Sequence, residues 1–203
     1  IATDVCDALF KMSPLEWSRI TPFQDRTMVL MCQRLLPEAE RRDIYLQGAS
    51  SFKLPKGRFT INVYCSAHHP GARELAEELN GIWPGLLQVA DVQSWSDLGA
   101  CDHMLVYLNA LTWTHDPEPL AAEIREAMRV GLHLQPCHEF PSVVDMGSGR
   151  HALEFKQIMD ATPADLKKWP TNIYSQIAIP LKGGELREVG LANLAGRLVS
   201  CPR

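Results

Sequence analysis

The sequence predicts a mainly parallel, doubly wound α/β sheet flanked by helices, behind an N-terminal helical extension. Three observations carry that expectation. Between Phe59 and Glu139 short apolar runs alternate with amphipathic ones, giving the β-α-β-β-α-β order typical of parallel sheets. The amphipathic segments repeat their apolar residues at helical intervals. Polar residues gather where strands should end (His68, His69, Trp113, Glu123, His138, Glu139), and parallel sheets bind ligands beyond the carboxyl ends of their strands.

Residues 1–57 read as the helical extension. Ser13-Pro14-Leu15-Glu16 has the form of a capping box with proline at the first helical position, and Thr21-Pro22-Phe23-Gln24 repeats it. Trp17 and Ile20, then Met28, Met31, Cys32 and Leu35, follow at helical spacing. Gly48-Ala-Ser-Ser and Lys53-Leu-Pro-Lys-Gly57 carry turn chemistry, which places the boundary there and the α/β domain over 58–203.

Phe59–Ser66 reads as the first strand and Ala72–Asn80 as the first helix of the domain, with Ala72, Leu75, Ala76 and Leu79 on one face. Leu86–Ala90 and Met104–Leu108 are strands, separated by about a dozen residues, the shortest comfortable parallel crossover. Either a one-turn helix near Trp95–Leu98 bridges them, or the second of these strands sits differently in the sheet. Pro119–Val130 is a helix, with Leu120, Ile124, Ala127 and Met128 as its stripe, and Leu132–Cys137 is a strand. Phe140–Gly149 reads as a surface loop. Thr162-Pro163-Ala164-Asp165 looks like a third capping box, and Leu186, Val189, Gly190, Asn193, Leu194 and Leu198 mark a closing helix.

Composition narrows the function classes. With 203 residues, 46% of them hydrophobic, the chain can bury a sizeable core. A net charge of −4, a pI near 6.0 and scattered Lys and Arg argue against nucleic acid or an anionic membrane as partner. Its longest apolar stretches fall short of a bilayer span. The six cysteines show no CxxC and several sit in apolar runs, as reduced thiols of a cytoplasmic protein do. The chain opens at Ile1, not Met, and so reads as a segment or processed form.

Glu123 lies three residues after Leu120 and four before Ala127, at the edge of the buried stripe. Its helix starts beyond a strand's carboxyl end, so the carboxylate overlooks the ligand edge. There it would orient ribose hydroxyls or stabilise a developing cation, or serve only as a boundary glutamate bonded to a loop. Cys65-Ser-Ala-His68-His69 and Cys137-His138-Glu139 both follow strands, so they would bring imidazoles, a thiol and a carboxylate together across the edge. Their spacing matches no zinc signature, and no metal is expected. Cys101 and His103 precede their strand and belong at the opposite edge. Trp113 follows Tyr107-Leu108-Asn109 and is placed to stack on a base or to cover the core. His69-Pro70-Gly71-Ala72 sets a turn at a helix N-terminus, without the glycine fingerprints of Rossmann or P-loop sites.

From Phe59 to Val199 the pattern resembles a Toll/interleukin-1 receptor (TIR) domain. Ile61-Asn-Val-Tyr-Cys-Ser is similar to the family's opening strand and polar loop, and Cys101–Asn109 to the strand ending its middle section. Trp113 with Glu123-Ile124-Arg125-Glu126-Ala127 resembles the family's tryptophan and E-[LI]-x-x-A helix, and Leu132–Cys137 with Glu139-Phe140-Pro141 its next strand and loop. In the enzymatic branch a glutamate on that helix is needed to cleave NAD at the nicotinamide–ribose bond, a role the resemblance assigns to Glu123. The segment after the second strand, which in the family helps bind nucleotide and mediates association, is compressed here to Asp91–Gly99.

The leading expectation is a TIR-like signalling and protein-interaction module of a larger protein or assembly, with a protein partner or self-association. The alternative is an NAD glycohydrolase needing no cofactor. In it Glu123 is the key carboxylate, Trp113 or Trp95 stacks on a ring, His68 or His69 contacts phosphate, and Glu139 lines the same edge. A flavodoxin-like nucleotide or metal sensor is the third reading.

Overall fold

A computed structural model describes residues 14–36, 60–92, 94–114, 116–141 and 149–200. The boundary turns at 48–57 and most of the 140–149 loop lie outside the described residues. Five parallel strands form one sheet in the order β2-β1-β3-β4-β5: β1 (Ile61–Tyr64), β2 (Leu87–Val89), β3 (His103–Leu108), β4 (His133–Glu139) and β5 (Ile179–Leu181). Helices cover both faces, giving the flavodoxin-like α/β architecture. α2 (Ala72–Ile82) and α5 (Arg187–Ser200) pack against Ile61, Val63, Leu105, Tyr107 and Cys137. On the other face, α3 (Pro117–Arg129) and α4 (Phe155–Ala161) pack with Tyr64, Met104, Val106 and Leu108. The period-2 alternation of β3 thus feeds two cores, and all six of its residues are buried.

Strand order reverses between β1 and β3, which marks their carboxyl ends as the ligand crevice of such a sheet. The short β2–β3 crossover is bridged by a 3-10 helix over Trp95–Ala100. Ser94 and Asp97 form its capping box, with Ser94 N–H donating to Asp97 Oδ2 at 2.8 Å.

Several boundaries differ from expectation for identifiable reasons. α3 begins at Pro117, two residues early, because the Asp116 side chain caps it by accepting from Glu118 N–H. β4 runs on to Glu139 because β5 pairs with its last three residues, Cys137↔Ile179 through Glu139↔Leu181. β5 itself carries Pro180, tolerated because β5 is an edge strand, and its three residues give little alternation to read. Thr162 does not open a helix. It closes α4, its hydroxyl donating to Ile158 C=O, and only a 3-10 turn follows at Asp165–Lys167.

In the extension, Pro14–Ser18 is not helical. Ser13, the other half of the expected capping box, lies outside the described residues; the Glu16 carboxylate pairs with Lys182, and its carbonyl accepts from the Thr27 hydroxyl at 2.8 Å. α1 (Thr21–Leu35) follows, with Pro22 in its first turn and Ile20, not Thr21, at the cap. It docks against α5 and the turn before it through Phe23 and Thr27, with Arg26 paired to Glu185 at 2.9 Å. Met28, Met31 and Leu35, which recur at helical spacing, are exposed. The inward positions are 23 and 27, four apart, on the side that meets α5.

α5 lies tight on β5 at Gly190, where an added Cβ would sit 2.9 Å from Pro180 O and 3.3 Å from Leu181 Cα. Alanine there gains about 1 kcal/mol of helix propensity, but backbone atoms cannot yield as side chains do. Gly190→Ala is expected to cost a net 1–3 kcal/mol, about the usual range for overpacking. A lowered urea midpoint with unchanged m-value would show it.

Candidate functional site

The β1–α2 and β3–α3 loops are stitched together at the switch point. Ser66 Oγ accepts from His68 N–H at 2.9 Å. His69 Nε2 donates to Tyr107 C=O at 2.7 Å, and Asn109 Nδ2 to Pro70 C=O at 3.0 Å. Asn109 Oδ1 accepts from Leu111 N–H, and the Thr112 hydroxyl accepts from Asn109 N–H, each at 2.8 Å. Gly71 completes the junction at φ +86°, where a Cβ would come within 2.7 Å of the Tyr107 ring. Only glycine satisfies both the left-handed backbone and the approach.

Over this edge α3 presents Glu123, 8% exposed. Its Oε1 lies 3.8 Å from the exposed His68 Nε2. Its Oε2 is buried without a hydrogen-bond partner among the described residues. Tyr64 stands beside it, and burial followed by the Glu123 charge raises the phenol well above its ordinary range, so it stays protonated. The result is a shielded carboxylate that meets the Tyr64 phenol on its buried side and an imidazole in solvent on the other. Such a group accepts hydrogen bonds from hydroxyls and stabilises positive charge developing nearby.

The other expected residues take different places. His69 is a loop strut, pushed down to about 4 by burial and therefore neutral. Trp113 is buried in the α3-side core with Leu120 and Ile124. Trp95 is half exposed at the start of the 3-10 helix. Glu139 lies on the opposite face of the sheet from Glu123. It is 1% exposed, accepts from the Tyr107 hydroxyl at 2.8 Å and pairs with Arg187 at 2.6 Å.

The Cys/His/Glu cluster imagined across the edge does not form. Cys137, His138 and Glu139 belong to β4, so alternation sends Cys137 and Glu139 to the α2/α5 face and His138 to the other. His138 donates from Nε2 to Leu153 C=O at 2.7 Å and packs against the rings of Phe140 and Phe155. Among the described residues no three His, Cys, Asp or Glu groups converge to hold a metal. His103 is the first residue of β3, at the amino edge, and pairs with His133 Nδ1 to Nδ1 at 2.8 Å.

Arg187 is a functional candidate that the sequence reading passed over. It is 8% exposed, forked on Glu78 through Nε at 2.9 Å and Nη2 at 2.5 Å, while Nη1 reaches Glu139. Its signal was a charge on the same face as Gly190, Leu191 and Leu194, a helical stripe otherwise without charge.

Beside this ion cluster a cleft of about 370 Å³ opens on the α2/α5 side, between Gly71, Glu74 and Glu78 on one wall and Gly149, Arg150 and His151 on the other. The chain matches no protein-family model, no curated protein and no solved structure.

Proposed function

We propose that the chain is a TIR-like signalling module whose carboxyl-edge site cleaves NAD between nicotinamide and ribose. The observation that carries this reading is Glu123, a shielded carboxylate beside Tyr64 and His68 at the strand-order reversal. In the reaction the C1′–N bond breaks, its electron pair leaves with nicotinamide, and water adds to C1′ with loss of a proton, giving ADP-ribose. The leaving group is already cationic in NAD, so no general acid is required. Glu123 accepts from the ribose hydroxyls and stabilises the oxocarbenium-like transition state. His68 orients and shields that carboxylate, and the half-exposed ring of Trp95 is available for stacking. His69, Trp113 and Glu139 support the edge from within. Buried thiols at Cys65, Cys101 and Cys137 suit a reducing, cytoplasmic setting, and no described helix is long and apolar enough to cross a membrane.

Incubation with NAD and chromatography of nicotinamide tests the reading. Release is expected, and Glu123→Gln should reduce it by about 100-fold or more, the scale for losing one preorganised electrostatic contact. No release at any protein concentration, or equal release by the variant, would overturn it.

A second reading, an interaction module without turnover, is favoured by α1, whose Met28, Met31 and Leu35 face outward. It predicts a sedimentation coefficient that rises with protein concentration and falls back in Met31→Glu.

A further inference from the structure

We propose that residues 14–35 form a detachable strap over the β5 end of the carboxyl edge. Lys182 is its latch, and the strap opens as a unit while the α/β domain stays folded.

The strap's apolar hold on the domain is small. α1 buries two of its 15 residues, Phe23 and Thr27, against four of 11 in α2 and five of 13 in α3. Phe23 is fully buried, yet it belongs to neither of the two apolar clusters that flank the sheet. Trp17, Ile20, Met28, Met31 and Leu35 are exposed and add nothing to the attachment. Segments with so few buried apolar contacts open at a lower free energy than the core they rest on.

Charge supplies the rest of the hold, and it converges on one ammonium. Lys182 follows the last residue of β5, is 7% exposed and pairs with Glu16. Its Nζ lies 5.9 Å from the centroid of the Phe23 ring, on the strap, and 5.5 Å from that of Phe140, just beyond β4. The same cation therefore grips the strap's carboxylate and ring against a ring of the domain. With the two side chains 9% and 14% exposed, the pair is little screened, and removing one partner strands the other charge. Arg26 and Glu185 form a second pair at 2.9 Å, but both are far more open to water, where such pairs contribute little. The Thr27 hydroxyl donates to Glu16 C=O at 2.8 Å, fastening the stretch before α1 to the helix so that the two leave together.

Opening uncovers Lys182 beside Phe140 at the carboxyl ends of β4 and β5, on the edge where parallel sheets take their ligands. The position thus exposed is a cation flanked by an aromatic ring, and in the closed state a carboxylate already fills it.

Hydrogen exchange of the full chain, read by mass spectrometry, tests the strap. Amides of residues 14–36 are expected to exchange well before those of β3, which wait for global unfolding. In Lys182→Met the strap should exchange about tenfold faster or more, the least expected from breaking a shielded ion pair, with β3 unchanged. Glu16→Gln should act in the same way, and it decides the matter alone if Lys182→Met does not fold. Strap amides as protected as those of β3, strap and β3 accelerating together, or strap exchange unmoved by the substitutions would each overturn the proposal.

Discussion

Arg187→Ala is expected to destabilise the domain by about 3–5 kcal/mol, the usual scale for breaking a buried ion pair from one side. The guanidinium joins three elements: α5, which carries it, α2 through Glu78, and β4 through Glu139. Glu139 is the costly partner. At 1% exposure it is shut off from solvent, and removing the arginine leaves its charge, among the described residues, with the Tyr107 hydroxyl for compensation. Burial and the Glu139 charge raise Tyr107 far above its ordinary range, so its hydroxyl remains a donor. The loss therefore comes from a stranded carboxylate more than from a missing attraction. The double variant Arg187→Met/Glu139→Gln should then recover much of the stability, because no buried charge remains unpaired. Urea denaturation of parent, single and double variants measures this directly. A single variant within about 0.5 kcal/mol of the parent, the range of ordinary surface substitutions, would mean that water replaces the guanidinium and that the cluster is wetter than its burial implies.

Much of the fold was legible because its signals are local. The stripe Ala72, Leu75, Ala76, Leu79 faces the sheet as its spacing requires, and the apolar run of β3 is buried along its whole length. Chain length left two ways across from β2 to β3, and the 3-10 helix over Trp95–Ala100 takes the bridged one. What escaped depends on partners distant in sequence. β5 has three residues and a proline, and its existence shows only in its pairing with β4. Without β5, the sequence pattern ends β4 at Cys137, two residues short, and leaves His138 and Glu139 beyond the strand instead of on its alternating faces. The same non-locality governs the site. The placement of Glu123 at the edge of the α3 stripe is legible because position on an amphipathic helix is a local property. Glu139 is bound by Arg187, 48 residues away, and Arg187 by Glu78, 109 residues from it, separations beyond the reach of any periodicity. Pro14–Ser18 is not helical for the same reason of distance: Glu16 there is paired with Lys182, 166 residues away.

Acid should destabilise the protein well before its carboxylates titrate. His69 and His138 are both pushed down to about 4 by burial, against a value near 6.5 when unfolded. Each is neutral in the folded domain and donates from Nε2 to a backbone carbonyl, Tyr107 for one and Leu153 for the other. Between pH 6.5 and 4 the unfolded chain binds more protons than the folded one, so stability falls as pH falls. The contribution of each is fully present above pH 6.5 and is lost through that window, about 3 kcal/mol apiece when complete. The first part of the window isolates the histidines, since most carboxylates are still ionised at pH 5. From pH 6.5 to 5 the pair should remove about 3 kcal/mol, a large fraction of the stability of an ordinary domain. His103 and His133 shift in the same direction through burial, with Asp102 opposing at the first and Arg197 reinforcing at the second. Their contact adds a geometric constraint. His103 Nε2–H is committed to Leu198 C=O, so its Nδ1 must accept from His133, and a proton on that atom abolishes the bond. Urea midpoints from pH 7.5 to 5, compared between the parent and His138→Phe, test the assignment. The variant should lose stability at neutral pH, with the Leu153 bond gone, yet show a visibly shallower decline into acid. A parent curve that is flat between pH 6.5 and 5, or a variant that falls as steeply, would show that these imidazoles reach water and titrate in the folded state.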